Sequence, residues 1–170
     1  VHVQWLRRML PAARSVGILF DPALNARRAE DVAAALRRAG YTAVLEPVPA
    51  PSALPGALAR LTNTVDVLQA IPDTTVFARE HSRALLLFSF RNRIPLAGPT
   101  EAWVRAGALY SVDWDYADLG RDCCALALRQ LAGPRAPTAP TEPARTRLTV
   151  NLRAADQLNV HWSADLLRAA

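Results

Sequence analysis

One stretch constrains the rest of the chain: DVLQAIPDTTVF, residues 66–77. An apolar run stops abruptly at Pro72-Asp73, and two threonines lead into a segment with helical spacing. A buried strand that ends in an acidic turn and feeds a helix is how an open α/β sheet presents a ligand site. Such sheets bind at the carboxyl ends of their strands, where helix N-termini also gather.

The same unit recurs along the chain. SVGILFD (residues 15–21) is a short, partly β-branched apolar run that fits a buried parallel strand and closes at Asp21-Pro22. Asn25 is placed to cap the next helix, which carries Ala29, Val32, Ala33 and Leu36 on one face. Gly40 falls where a left-handed C-terminal cap belongs. YTAVLEPV (41–48) reads as a second strand, and Ser52 as the cap of a helix with Leu54, Leu58 and Leu61 on one side. After the strand at 66–73, a helix over about 76–90 turns Leu85, Leu86 and Phe88 inward. NRIPLAG (92–98), ALYSV (108–112) and RLTVN (147–151) supply three more strands, with a short helix at 100–107. Asp115 caps a long helix whose core stripe is Tyr116, Leu119, Cys123 and Leu126. A short helix, LRAADQL, and a terminal one capped by Ser163 complete the chain. Strands alternating with helices predict an α/β fold of three layers, α/β/α, with a mostly parallel sheet.

A length of 170 residues fits one domain, against roughly 100–200 residues per domain. Residues 1–170 are therefore expected to form a single α/β lobe. Within it, residues 1–14 are an entry or crossover helix ended by Pro11, and the proline-rich 134–146 crosses the surface. The chain does not begin with methionine, so it reads as a fragment or a processed form. The net charge of +5 and pI of 10.2 raise the question of nucleic acid. All 20 basic residues are arginines, however, and they are scattered in ones and twos. No run makes a basic arm or recognition helix, and no nucleic-acid partner is expected. No apolar stretch approaches the ~20 residues of a membrane span. Cys123 and Cys124 are helix neighbours pointing about 100° apart, which disfavours a mutual disulfide; they read as small half-buried residues.

Catalytic signatures are missing. The chain has no GxGxxG, no GxxxxGK[ST] and no GxSxG. His2, His81 and His161 have no partner at metal spacing, and none of the six serines sits at a strained nucleophile turn. What remains is polar residues at strand ends: Asp21 and Asn25, Asp73 with Thr74 and Thr75, Pro99 with Thr100, and Ser111 with Asp113 and Asp115. The alternation places them all on one sheet edge. Acidic turns suit an ammonium group, while hydroxyls and helix-start N–H groups suit a carboxylate. Trp103 and Trp114 fall near the same edge, where an aromatic wall would stand.

The order LPAARSVGILFDP, VDVLQAIPDTTVF, RNRIPLAGPTEAWVRAGALYSVDWDYADLG and LTVNLRAADQLNV resembles the substrate-binding proteins of a bacterial ABC transporter family. This is the type I periplasmic-binding-protein-like group linked to tryptophan and other aromatic amino acids. The resemblance spans nearly the whole chain. It implies one lobe, the C-terminal one, of a two-lobed extracytoplasmic protein that closes around a small ligand without catalysis or cofactor. The partners it implies are an amino-acid-like solute, an N-terminal lobe outside these residues, and a membrane permease. The candidate ligand-binding residues are Asp73, Asn25, Asp21, Thr74, Thr100, Trp103, Ser111 and Trp114. Two alternatives stay open: the effector-sensing half of a regulator, and a flavodoxin-like enzyme using a metal at its acidic strand ends.

Overall fold

Apolar runs of three to six residues, each followed by a helix, assemble into one six-stranded sheet. The structure is a computed structural model that describes residues 2–133 and 145–168. Of the proline-rich crossing expected over 134–146, residues 134–144 lie outside the described residues. The strands are β1 (Ser15–Phe20), β2 (Thr42–Pro47), β3 (Val67–Gln69), β4 (Leu96–Gly98), β5 (Tyr110–Trp114) and β6 (Thr146–Val150). Their order is β2-β1-β3-β4-β5-β6. The first five are parallel; β6 runs antiparallel to β5, with Trp114 opposite Thr146.

Helices cover both faces. On one, α1 (His2–Met9), α2 (Pro22–Arg38) and α7 (Leu152–Leu158) bury Leu6, Met9, Ala29, Ala33, Leu36, Ala154 and Leu158 against Val16, Ile18, Val67, Tyr110 and Val112. Trp162, next to α8 (Ala164–Arg168), donates its indole N–H to Met9 O at 2.8 Å on this side. On the other face, α3 (Leu54–Leu61), α4 (Ser82–Asn92) and α5 (Glu101–Ala106) enclose Leu19, Leu68 and Leu96. Three layers with the core on both sides of a mostly parallel sheet match the sequence pattern.

Local details differ from the sequence expectation for physical reasons. Asp21, not Asn25, caps α2: its carboxylate accepts the Ala23 N–H at 2.9 Å, and Pro22 occupies the first turn, where its missing N–H costs nothing. Asn25 is thus inside the helix. The segment after Asp73 does not enter a helix at 76. The Asp73 carboxylate captures the N–H groups of Thr75 and Val76, a 3-10 turn covers Arg79–His81, and α4 begins only at Ser82. Helix α6 (Tyr116–Ala132) departs furthest. Asp115 caps it as expected, yet none of its described residues is buried. Tyr116 is 66% exposed, and Cys123 and Cys124 are exposed rather than half-buried. Both faces of the sheet are already covered by the other helices, so the expected core stripe meets no core. Among the described residues, no helix is long and apolar enough to cross a membrane.

Candidate functional site

In this strand order the connections from β1 and β3 leave in opposite directions, to β2 on one side and to β4 on the other. A crevice opens at such a switch point, beyond the carboxyl ends of the two strands. Asp21 follows β1 directly, and Asp73 lies four residues past β3. Asp73 is 5% exposed and its carboxylate is fully engaged. Oδ2 accepts the Asp21 N–H at 2.7 Å and Asn25 Nδ2 at 2.9 Å. Oδ1 accepts the N–H groups of Thr75 at 3.0 Å and Val76 at 2.8 Å. In return the Thr75 hydroxyl donates to Asp21 Oδ2 at 2.7 Å. That hydroxyl, then the Ala23 N–H, hold the Asp21 carboxyl below its ordinary value. His81 Nδ1 lies 2.9 Å from Thr75 O and pins the far side of the turn. The result is a clasp joining β1, the first turn of α2 and the turn after β3.

Above this clasp a cavity of about 1030 Å³ opens along the carboxyl edge. Its walls come from α1, α2, the turn after β3, the start of α5 and the β5–α6 junction. Phe77 and Trp103 meet edge to face there, with ring centroids 5.6 Å apart at 77°. Gly98 makes this approach possible. A Cβ at that position would stand 3.0 Å from the Cβ atoms of both Trp103 and Ala108. Trp114 and Tyr116 extend the aromatic wall, and Asp113 accepts hydrogen bonds from the Trp114 N–H and the Tyr116 hydroxyl. The Asp113 charge pushes the Tyr116 phenol up.

Of the eight candidate residues, Asp73, Thr74, Thr100, Trp103 and Trp114 line this one cavity. Asp21 and Asn25 stand behind it in the clasp, outside its lining. Ser111 is fully buried inside β5, and its hydroxyl has no partner. Residues outside the eight candidates also line it: Gln69 and Phe77, the strand-end Asp113, and Tyr116 of the expected core stripe. Gln69 left a signal, a lone amide in the apolar run VLQAI. Tyr116 left a misleading one, because helical spacing suggested core. Among the described residues, no group of three or more His, Cys, Asp or Glu side chains gathers in a metal-holding arrangement.

A doubly wound sheet with an aromatic-lined cavity at its switch point has the place where open α/β sheets take small ligands. The model of the ABC transporter substrate binding protein family matches residues 1–170, and the chain belongs to that family. Solved structures agree in fold. One is an ABC domain in complex with L-Trp from Streptococcus pneumonia, with a TM-score of 0.76 and 21% identity; the match covers 99% of this chain and 57% of that one. A conserved domain protein from Vibrio cholerae gives 0.77 and 21%, with 99% and 57% covered. The ligand-free, open form of a substrate-binding protein with adhesive properties from Clostridium difficile gives 0.78 and 20%, with 96% and 56% covered. The chain thus spans little more than half the length of these structures. No curated protein matches it.

Proposed function

We propose that this chain is the ligand-binding C-terminal lobe of an extracytoplasmic solute-binding protein serving an ABC-type transporter, and that its solute is a small aromatic, amino-acid-like molecule. The observation that carries this reading is the cavity at the switch point, walled by Phe77, Trp103, Trp114 and Tyr116. Those rings suit an aromatic solute, and the L-Trp complex of a fold neighbour points the same way. The hydroxyls of Thr74 and Thr100 supply polar contacts at the rim. Asp73 shapes the wall, with Asp21 and Asn25 holding it from behind.

Closure by a second lobe is part of the proposal. His2 of α1, Trp114 and Tyr116 of the β5–α6 junction and Thr146 of β6 all meet at the cavity edge, so three passages of the chain gather where a hinge would lie. Helix α6, with none of its described residues buried, would then rest on that second lobe. Ligand favours the closed state through contacts made by both lobes. The function is binding without catalysis, and the membrane permease is the downstream partner.

A thermal-shift screen of the full-length protein against the twenty amino acids and related aromatics tests this. A solute that binds only the folded state raises the melting temperature by mass action. An upward shift with an aromatic amino acid is expected. Shifts confined to Mg²⁺ or phosphorylated metabolites would end the solute-binding reading in favour of an enzyme or a regulator.

A further inference from the structure

We infer that Gln69, rather than either clasp aspartate, is the group on the cavity floor that reads the solute, by accepting one N–H or O–H from its aromatic ring. The inference rests on the cavity being the solute site. Gln69 is the last residue of β3, opposite Ala97 of β4, and its side chain is the one polar group in that strand. It is 7% exposed and lines the cavity.

Its amide has a fixed direction. The side-chain nitrogen donates to Ala70 O at 3.0 Å, and only the NH₂ end of the amide can sit this close to a carbonyl oxygen. The other end, Oε1, is therefore an acceptor whose orientation is set by the protein. Among the described residues no donor meets it. Among the described residues the sealed side-chain polar atoms without a partner are Tyr110 Oη and Ser111 Oγ, so Oε1 is not enclosed; it opens on the cavity.

The clasp carboxylates are poor alternatives. All four hydrogen bonds into Asp73 come from the protein itself, and Asp21 accepts from Ala23 and Thr75 behind the lining. A solute ammonium beside the clasp would find those oxygens already taken and would lose its hydration, and the other lining carboxylates, Asp31 and Asp113, belong to α2 and the end of β5 rather than to β3. A neutral donor on a flat apolar ring meets the opposite situation: stacking surface from Phe77 and Trp103, and one acceptor of set direction. Indole N–H and phenol O–H are the donors of that kind. A solute lacking the donor leaves Oε1 unpaired under its ring, which lowers affinity by roughly tenfold to a hundredfold.

Calorimetric titration of the full-length protein with two pairs differing by one donor tests this: L-tryptophan against 1-methyl-L-tryptophan, and L-tyrosine against L-phenylalanine. The wild type is expected to bind the donor-bearing member of at least one pair about 10- to 100-fold more tightly. Gln69→Leu is expected to abolish that preference by weakening the donor-bearing member alone, whereas a distorted site weakens both. Equal affinities within both pairs, or a preference that survives Gln69→Leu, overturns the role of Gln69 and leaves the solute-site reading standing. The wild-type pairs alone decide if the variant does not fold. Binding of none of the four compounds overturns the Gln69 assignment, and the amino-acid screen then tells whether the solute-site reading falls with it.

Discussion

Helices α2 and α6 have the same length and the same kind of start, but opposite surroundings. Each runs for 17 residues behind an aspartate whose carboxylate accepts N–H groups of the first turn. Helix α2 buries Ala29, Ala33 and Leu36 against the sheet, while α6 buries none of its described residues and leaves Leu131 83% exposed. A cap and a run of helix-forming residues decide that a helix forms. They do not decide what it lies against. The starts differ as well. Asp73 ties the first turn of α2 to the sheet through Asp21 N and Asn25 Nδ2. At the first turn of α6, beyond the Asp115 cap, Asp118 pairs with the exposed side chains of Arg121 and Arg145.

The clasp should therefore carry the largest single effect. Asp73→Ala leaves a buried and a part-buried N–H at the turn and two donors on the β1–α2 side without an acceptor, and is expected to destabilise the chain by about 4 kcal/mol. Asp73→Asn keeps an acceptor for Thr75 and Val76 but turns an NH₂ toward Asp21 N and Asn25, so it should fall between wild type and alanine. Urea midpoints at unchanged slope measure both. A loss below about 1 kcal/mol for Asp73→Ala would show that the turn holds itself without the carboxylate.

Packing should separate the helices next. Leu36 is 1% exposed, and Leu36→Ala is expected to cost about 3 kcal/mol through lost burial and the cavity left behind. Capping should separate them less. Asp21→Ala removes the α2 cap together with the Thr75 bond, whereas Asp115→Ala removes the N–H contacts of a helix that covers no core and a long, exposed ion pair with Arg147. The melting temperature should drop further for Asp21→Ala, and equal drops would break the contrast.

Acid should act through the same groups. Asp21 is held below its ordinary value of 3.8, so the folded state favours its charged form. Its contribution is complete above that value and is lost as the pH falls through the lower, folded value. Asp115, held down first by the Asp118 N–H, behaves likewise. Asp21→Asn should flatten the acid limb of the stability–pH curve, and an unchanged limb would remove the aspartate from the clasp energetics.

The alternation of apolar run, polar turn and helix was legible because burial on both sides of a parallel sheet leaves a continuous apolar strand, and because aspartates and proline mark the turns. Asp115 was legible as a cap for the same local reason. The fates of Asp73 and Asn25 were not. Their bond joins positions 48 residues apart, and no local pattern records that a carboxylate will be consumed by distant donors. Gln69 was half-legible: its polarity stood out in VLQAI, but which way its amide faced depends on Ala70 O and on the open crevice. The burial of α6 was illegible for a different reason. Helical spacing of apolar residues states that a face wants cover, not which part of a protein supplies it.

That last point sets the smallest expected effect. Leu131→Gln in the 170-residue chain replaces a side chain that is already mostly in water, so its stability should change by less than about 0.5 kcal/mol. In the full-length protein the outcome depends on what α6 rests against. If a second lobe covers it, the same substitution buries an amide against apolar surface and should cost about 1–3 kcal/mol, with Leu128→Gln behaving alike. Urea midpoints for both variants in both forms of the protein measure the difference. A cost that appears only in the longer form would give α6 the packing partner that α2 finds in its own sheet. A cost absent from both would leave α6 a solvated helix in the whole protein, and would count against its resting on a second lobe.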